Sequence, residues 1–220
     1  MAGRAGVLFD LDGVIIDSEE LQYQAYQQVL ARFGVQVSRE EYGREWIGNG
    51  RGAEYAVVTY HLPLTPEELR QRRSEIYFDL LRGGVSLMPG VVSALQRLHP
   101  HFGLALATNS NRRDTIFVLE HLSVRAYFSA VVTREMYPQA KPEPDAFLAA
   151  ARALGLAPQR CIVIEDAFKG VMAATRAGCK CIVVPHDFTR RNDFSAATRI
   201  VSSLDEVTVE LVDELAGATQ

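Results

Sequence analysis

The run from Ala5 to Phe9 is apolar throughout, with no polar residue alternating into it. A strand half exposed to water alternates apolar and polar positions. One that does not is covered on both faces, as in a parallel sheet. The run stops at Asp10-Leu11-Asp12-Gly13-Val14. In an open parallel sheet the carboxyl ends of the strands form the ligand crevice, so Asp-x-Asp here sets one carboxylate at a strand tip and a second just beyond it. Acids this close repel, and a divalent cation, a shared proton or both must offset them. The expected division of labour has Asp10 attacking a phosphoryl group and Asp12 handling protons. Alone the pair decides nothing, because surface turns also produce it.

The remaining chain fixes the architecture. From Asp17 to Arg82 it reads as helical, without a strand-like run. Asp17-Ser18-Glu19-Glu20 opens a first helix with capping and acidic residues, and Ser38-Arg39-Glu40-Glu41 opens a second with a capping box. Trp46-Ile47-Gly48-Asn49-Gly50-Arg51-Gly52 reads as a glycine-rich loop, and helices follow over 53–60 and 65–81. Beyond Met88-Pro89-Gly90 strands and helices alternate. Strands are expected at 103–108, 130–133, 161–165, 180–184 and 199–201, with helices between them. Such alternation implies a parallel sheet with helices on both faces. The expected fold is therefore α/β, with a core of 1–16 and 84–220 and a helical insertion of 17–83 after the first strand.

Bulk properties narrow the partners. A formal charge of -4 argues against nucleic acid or an anionic membrane surface. No apolar run approaches the ~20 residues of a membrane helix, and Met1-Ala2-Gly3-Arg4 does not begin a secretory signal. Cys161, Cys179 and Cys181 lie in apolar runs and read as reduced core thiols of a cytoplasmic protein. Cys179 and Cys181 have no further cysteine or histidine pair at zinc-site spacing.

Three more strand ends carry polar groups. The second ends in Thr108-Asn109-Ser110, ahead of a helix, where hydroxyls and free N–H groups suit phosphate oxygens or simply cap that helix. Lys141 precedes Pro142-Glu143-Pro144; it either reaches the crevice to stabilise phosphoryl charge or stays a solvated lysine. The run Cys161–Ile164 ends in Glu165-Asp166, with Lys169-Gly170 after it. Adjacent acids there suit Mg²⁺, or Asp166 caps a helix. Each signal is modest, but nucleophile, hydroxyl, lysine and metal acids on four strand ends make the set used in phosphoryl transfer.

In this set the chain resembles the haloacid-dehalogenase-like superfamily over nearly its whole length. Asp10-Leu11-Asp12-Gly13-Val14, Thr108-Asn109-Ser110, Lys141-Pro142 and Glu165-Asp166 with Gly170 look like the family's four motifs, in order. The helical insertion and Met88-Pro89-Gly90-Val91 resemble the subgroup of β-phosphoglucomutase and phosphoglycolate phosphatase. The resemblance implies a Rossmann-like core with a helical cap. It makes Asp10 the nucleophile and Asp12 the general acid/base. Mg²⁺ would be held by the Asp10 carboxylate, the Asp12 carbonyl and Asp166, with Glu165 supporting. Thr108, Asn109 and Lys141 would bind the phosphoryl group.

The cap of such enzymes selects the substrate. Arg51 stands where β-phosphoglucomutases carry a phosphate-holding arginine, and Arg73 stands near their cap lysine. Gln22 replaces a histidine that works with their acid/base aspartate. A glutamine cannot exchange that proton near neutral pH, which favours hydrolysis over mutase chemistry. The expectation is a monomeric Mg²⁺-dependent phosphatase of a small phosphorylated metabolite, a sugar phosphate or phosphoglycolate-like compound. The alternatives are a hexose-phosphate mutase and a protein that only binds the phosphometabolite.

Overall fold

The computed structural model describes residues 5–48 and 50–217. They divide into two compact units, one of 5–16 with 87–217 and one of 17–48 with 50–86. In chain order the strands are β1 (Gly6–Phe9), β2 (Ile16–Asp17), β3 (Ser86–Leu87), β4 (Gly103–Ala107), β5 (Ala130–Val132), β6 (Cys161–Glu165), β7 (Lys180–Val183) and β8 (Arg199–Ile200).

The larger unit is built on a six-stranded sheet in the order β5-β4-β1-β6-β7-β8, and the pairings along it are parallel. The parallel sheet expected from the unbroken apolar runs is therefore present. Val7, Leu8 and Phe9 of β1 are each fully buried, and each such side chain contributes roughly 1.5–3 kcal/mol. Because strand side chains alternate faces, Leu8 joins one layer with Ala105 and Val163, while Phe9 meets Phe128 edge-on at 6.0 Å.

With helices numbered along the whole chain, those of this unit are, among the described residues, α5 (Val91–Leu98), α6 (Arg112–His121), α7 (Asp145–Ala153), α8 (Phe168–Ala177) and α9 (Val209–Leu215). Phe147 and Ala150 of α7 and Val171 and Ala174 of α8 pack into the Leu8 layer. The cysteines at 161, 179 and 181 are free and buried.

The strand order fixes where a ligand crevice falls. From β1 the chain moves outward to β4 and β5, then returns to β6 on the other side and continues to β7 and β8. The reversal lies between β1 and β6, at whose carboxyl ends an open α/β sheet binds its ligands.

The smaller unit carries α1 (Glu19–Ala31), α2 (Arg39–Tyr42), α3 (Gly52–Thr59) and α4 (Pro66–Gly83). Thr65 and Glu68 form a capping box, and Pro66 at the first position pre-sets the backbone of α4. The stretch read as a glycine-rich loop differs from expectation. Gly43–Gly48 is a π-helical turn that buries Glu45, Trp46 and Ile47. Aromatic packing outweighs the loop signal of the glycines: Trp46 stacks on Tyr42 at 5.6 Å and meets Tyr26 at 5.4 Å. Asn49, part of that reading, lies outside the described residues.

Candidate active site

Asp10 follows β1 directly, and its N–H donates to the Ile164 carbonyl at 3.0 Å, which ties the loop after β1 to β6. Its carboxylate is buried and accepts a hydrogen bond from Lys141 Nζ. The same ammonium donates to Glu165 Oε1 at 2.7 Å and lies 4.4 Å from the centre of the Phe147 ring. Lys141 is thus no solvated lysine, its side chain being 1% exposed. Burial works against its charge, but the carboxylates of Asp10 and Glu165 outweigh that and hold it protonated above the usual lysine range.

Glu165 ends β6 and is fully engaged. Its Oε2 accepts from the N–H groups of Asp166 at 3.0 Å and Ala167 at 3.2 Å. Glu165 thus satisfies the two amides ahead of α8, while the first amide of that helix, the Phe168 N–H, donates to Asn192 Oδ1 at 3.1 Å. The N-cap position is Ala167, not Asp166. Gly170 makes room for the Glu165 carboxylate, since a Cβ there would stand 1.7 Å from Glu165 Oε1.

Asp10, Glu165 and Asp166 each offer an oxygen within 4.8 Å of the others, and all three are buried. Burial pushes the Asp10 carboxyl well above its ordinary range; Lys141 pulls it down, and Glu165, Asp166 and Asp12 push it up. Three buried acids against one ammonium leave a deficit of positive charge that a hard divalent cation with oxygen ligands would offset.

Asp12 lies beyond the strand tip, half-buried, and its Oδ2 accepts from Ser110 Oγ at 2.6 Å. Ser110 is placed by its own N–H, which donates to Thr108 Oγ1 at 2.9 Å. Asn109 Oδ1 accepts from the Lys141 N–H at 3.1 Å and from Tyr137 Oη at 2.8 Å. The single Tyr137 Oη proton is shared between that oxygen and the Thr108 carbonyl, 2.7 Å away. The loops after β4 and before α7 are thereby locked together.

The core residues singled out in the sequence, Asp10, Asp12, Thr108, Asn109, Lys141, Glu165 and Asp166, thus form one hydrogen-bonded and ionic assembly at the sheet's carboxyl edge. Sequence reasoning placed Ser110 only within the Thr108-Asn109-Ser110 strand end, as a hydroxyl for phosphate or a cap, and gave no role to Tyr137 or His186. His186 Nε2 lies 2.9 Å from Asp166 Oδ2. It follows β7 by three residues, and the signal used at the other strand ends would have found it. Tyr137 left no such trace.

In the smaller unit, Arg51 precedes α3 and pairs with Glu45 at 3.1 Å. Arg73 lies over the rings of Tyr26 and Tyr77 at 5.2 and 5.3 Å. Gln22 lies half-buried in α1.

Residues 7–184 match the family described as haloacid dehalogenase-like hydrolase. The chain belongs to that family. Fructose-1-phosphate phosphatase YqaB of Escherichia coli is 32% identical over 181 residues, covering 82% of this chain and 96% of that protein. The crystal structure of CbbY from Rhodobacter sphaeroides with phosphate superposes with a TM-score of 0.81 at 28% identity, covering 95% of this chain and 99% of that one. A mutant of the same CbbY in complex with xylulose-1,5-bisphosphate gives a TM-score of 0.79 at 28% identity, covering 92% and 95%. With these likenesses the chain is a phosphohydrolase of the family.

Proposed function

We propose that this hydrolase cleaves the phosphate monoester of a small phosphorylated sugar through an aspartyl-phosphate on Asp10. The observation that carries the reading is the buried assembly of Asp10, Lys141, Glu165 and Asp166 beside an Asp12 held by Ser110. The sugar class is supported by the relatives, one named a fructose-1-phosphate phosphatase and one bound to a sugar bisphosphate.

The donor set fits Mg²⁺, with the Asp10 and Asp166 carboxylates and the Asp12 carbonyl as ligands and Glu165 in support. When bound, the ion neutralises phosphoryl oxygens and the carboxylate that approaches them.

The chain's own residues do the rest. A carboxylate oxygen of Asp10 attacks phosphorus, and the bond to the sugar oxygen breaks as protonated Asp12 gives its proton to that oxygen. Water then attacks the same phosphorus, Asp12 takes back a proton, and the bond to Asp10 breaks to release phosphate. Lys141, with two of its three donors on Asp10 and Glu165, directs the third at the phosphoryl group. Thr108 donates its hydroxyl, and Asn109 keeps the loop that presents it in register with Lys141.

Selection of the sugar falls to the insertion. Arg51 is the candidate for a second anionic group, because its side chain is 61% exposed despite the pair with Glu45. Arg73 has its cation committed to two aromatic faces, and Gln22 offers an amide without proton exchange.

The test is phosphate release from a panel of sugar phosphates and small-acid phosphates, with Mg²⁺ and with EDTA. Metal-dependent release concentrated on sugar phosphates supports the proposal. Conversion of β-glucose 1-phosphate to glucose 6-phosphate, primed by a bisphosphate and with little phosphate release, would establish the mutase instead. Silence throughout would leave a binding protein.

A further inference from the structure

His186 has no part in the steps above, yet it touches the acid cluster. Its Nε2 lies 2.9 Å from Asp166 Oδ2, and its side chain is 17% exposed against 4% for Asp166. The backbone around it is fixed. The His186 N–H donates to Thr189 Oγ1 at 3.0 Å, and its carbonyl accepts from the N–H groups of Thr189 at 2.9 Å and Arg190 at 2.8 Å. The ring is oriented as well, because Nδ1 accepts a long bond, 3.4 Å, from the Phe188 N–H. With Nδ1 an acceptor, the proton of the neutral ring sits on Nε2, and Nε2–H donates to Asp166 Oδ2.

A second observation places this pair in the site. Gly13, in the loop that carries Asp10 and Asp12, has φ +80, and a Cβ on it would stand 2.7 Å from both Asp166 Oδ2 and His186 Nε2. The histidine–aspartate pair lies flat against that loop, where only a residue without a Cβ fits.

We propose that His186 is a positioning residue for the cation site. It fixes one oxygen of the Asp166 carboxylate, so that the other is held in place for a divalent cation. This rests on Asp166 being a cation ligand. Hydrogen bonds of this kind orient metal-binding carboxylates, and losing one costs about ten- to hundredfold in metal affinity.

The experiment is Mn²⁺ binding to the metal-free protein, read by the paramagnetic resonance of free Mn²⁺. It compares wild type, His186→Leu, His186→Gln and Asp166→Asn. The leucine keeps bulk without a donor, and the glutamine returns an N–H at comparable reach. The expected result is about ten- to hundredfold weaker binding in His186→Leu, recovered to within a few-fold in His186→Gln. In turnover, the Mg²⁺ concentration for half-maximal rate rises in the leucine variant, while kcat at saturating Mg²⁺ and KM for the sugar phosphate stay near wild type. Wild-type affinity in His186→Leu beside weak binding in Asp166→Asn would overturn the proposal and leave the cation site standing. Wild-type affinity in Asp166→Asn would remove the cation site and the proposal together. If the leucine variant does not fold, His186→Asn, too short to reach Asp166, takes its place: binding weakened about tenfold or more supports the proposal, and wild-type affinity overturns it.

Discussion

Ser110 and Gly170 take no part in the chemistry, yet each supports a charged group that the site depends on. Ser110 donates to Asp12 at 2.6 Å, and a hydrogen bond to a charged group is worth about 1.5–3 kcal/mol. Ser110→Ala is therefore expected to lower kcat at least about tenfold with little change in KM; an unchanged kcat would show that Asp12 needs no such support. Gly170→Ala puts a methyl group where the Glu165 carboxylate lies. It is expected to cost about 1–3 kcal/mol of stability, and activity with it as Lys141 loses its second carboxylate. Equal stability by urea denaturation would contradict this. Asp10, Asp12, Glu165 and Asp166 were legible because acids end apolar runs there. The burial of Lys141 was not, since a lone lysine reads as solvated and its partners come from 131 and 24 residues away in sequence. Tyr137 was invisible for the same reason, as its bonds to Thr108 and Asn109 exist only once the strands are adjacent.

At the scale of elements, β1, β4 and β6 were legible because they are unbroken apolar runs, and their boundaries moved by a residue at most. The insertion was harder to read. Its glycines hid a π-helical turn, because Trp46, Tyr42 and Tyr26 stack across sequence positions that no local pattern links. Arg73 belongs to this packing through Tyr26 and Tyr77. Stacking of a partly desolvated guanidinium is worth on the order of 1–2 kcal/mol, so Arg73→Ala is expected to destabilise the smaller unit by about that much. Arg73→Lys should recover little, because an ammonium does not stack as a planar guanidinium does. Trp46, the chain's single tryptophan, reports this unit selectively. A fluorescence-detected transition that stays put in Arg73→Ala would assign the arginine to substrate rather than to packing.

For the whole molecule, several buried groups bind protons more tightly than they would in the unfolded chain. Burial pushes the Cys161 thiol up to about 11 and the Cys179 thiol to about 12, with Cys161 adding to the latter. Burial likewise raises Tyr137 to about 12. A raised native pKa gives stability that is complete below the unfolded value and lost as pH climbs to the native one, because the unfolded chain releases its protons first. Denaturation midpoints should therefore be level up to about pH 9 and fall between about pH 9 and 12; an unchanged midpoint across that window would contradict the burial of these groups. Among the described residues no helix is long and apolar enough to cross a membrane.

Whether Asp10 carries the phosphoryl group can be read by quenching the enzyme in acid during turnover of a sugar phosphate and mapping the modified peptide by mass spectrometry. One added phosphoryl group, labile to hydroxylamine, is expected on the peptide that contains Asp10, together with its loss and the loss of turnover in Asp10→Asn. A phosphoryl group on another residue, or undiminished turnover in Asp10→Asn, would contradict an aspartyl-phosphate on Asp10.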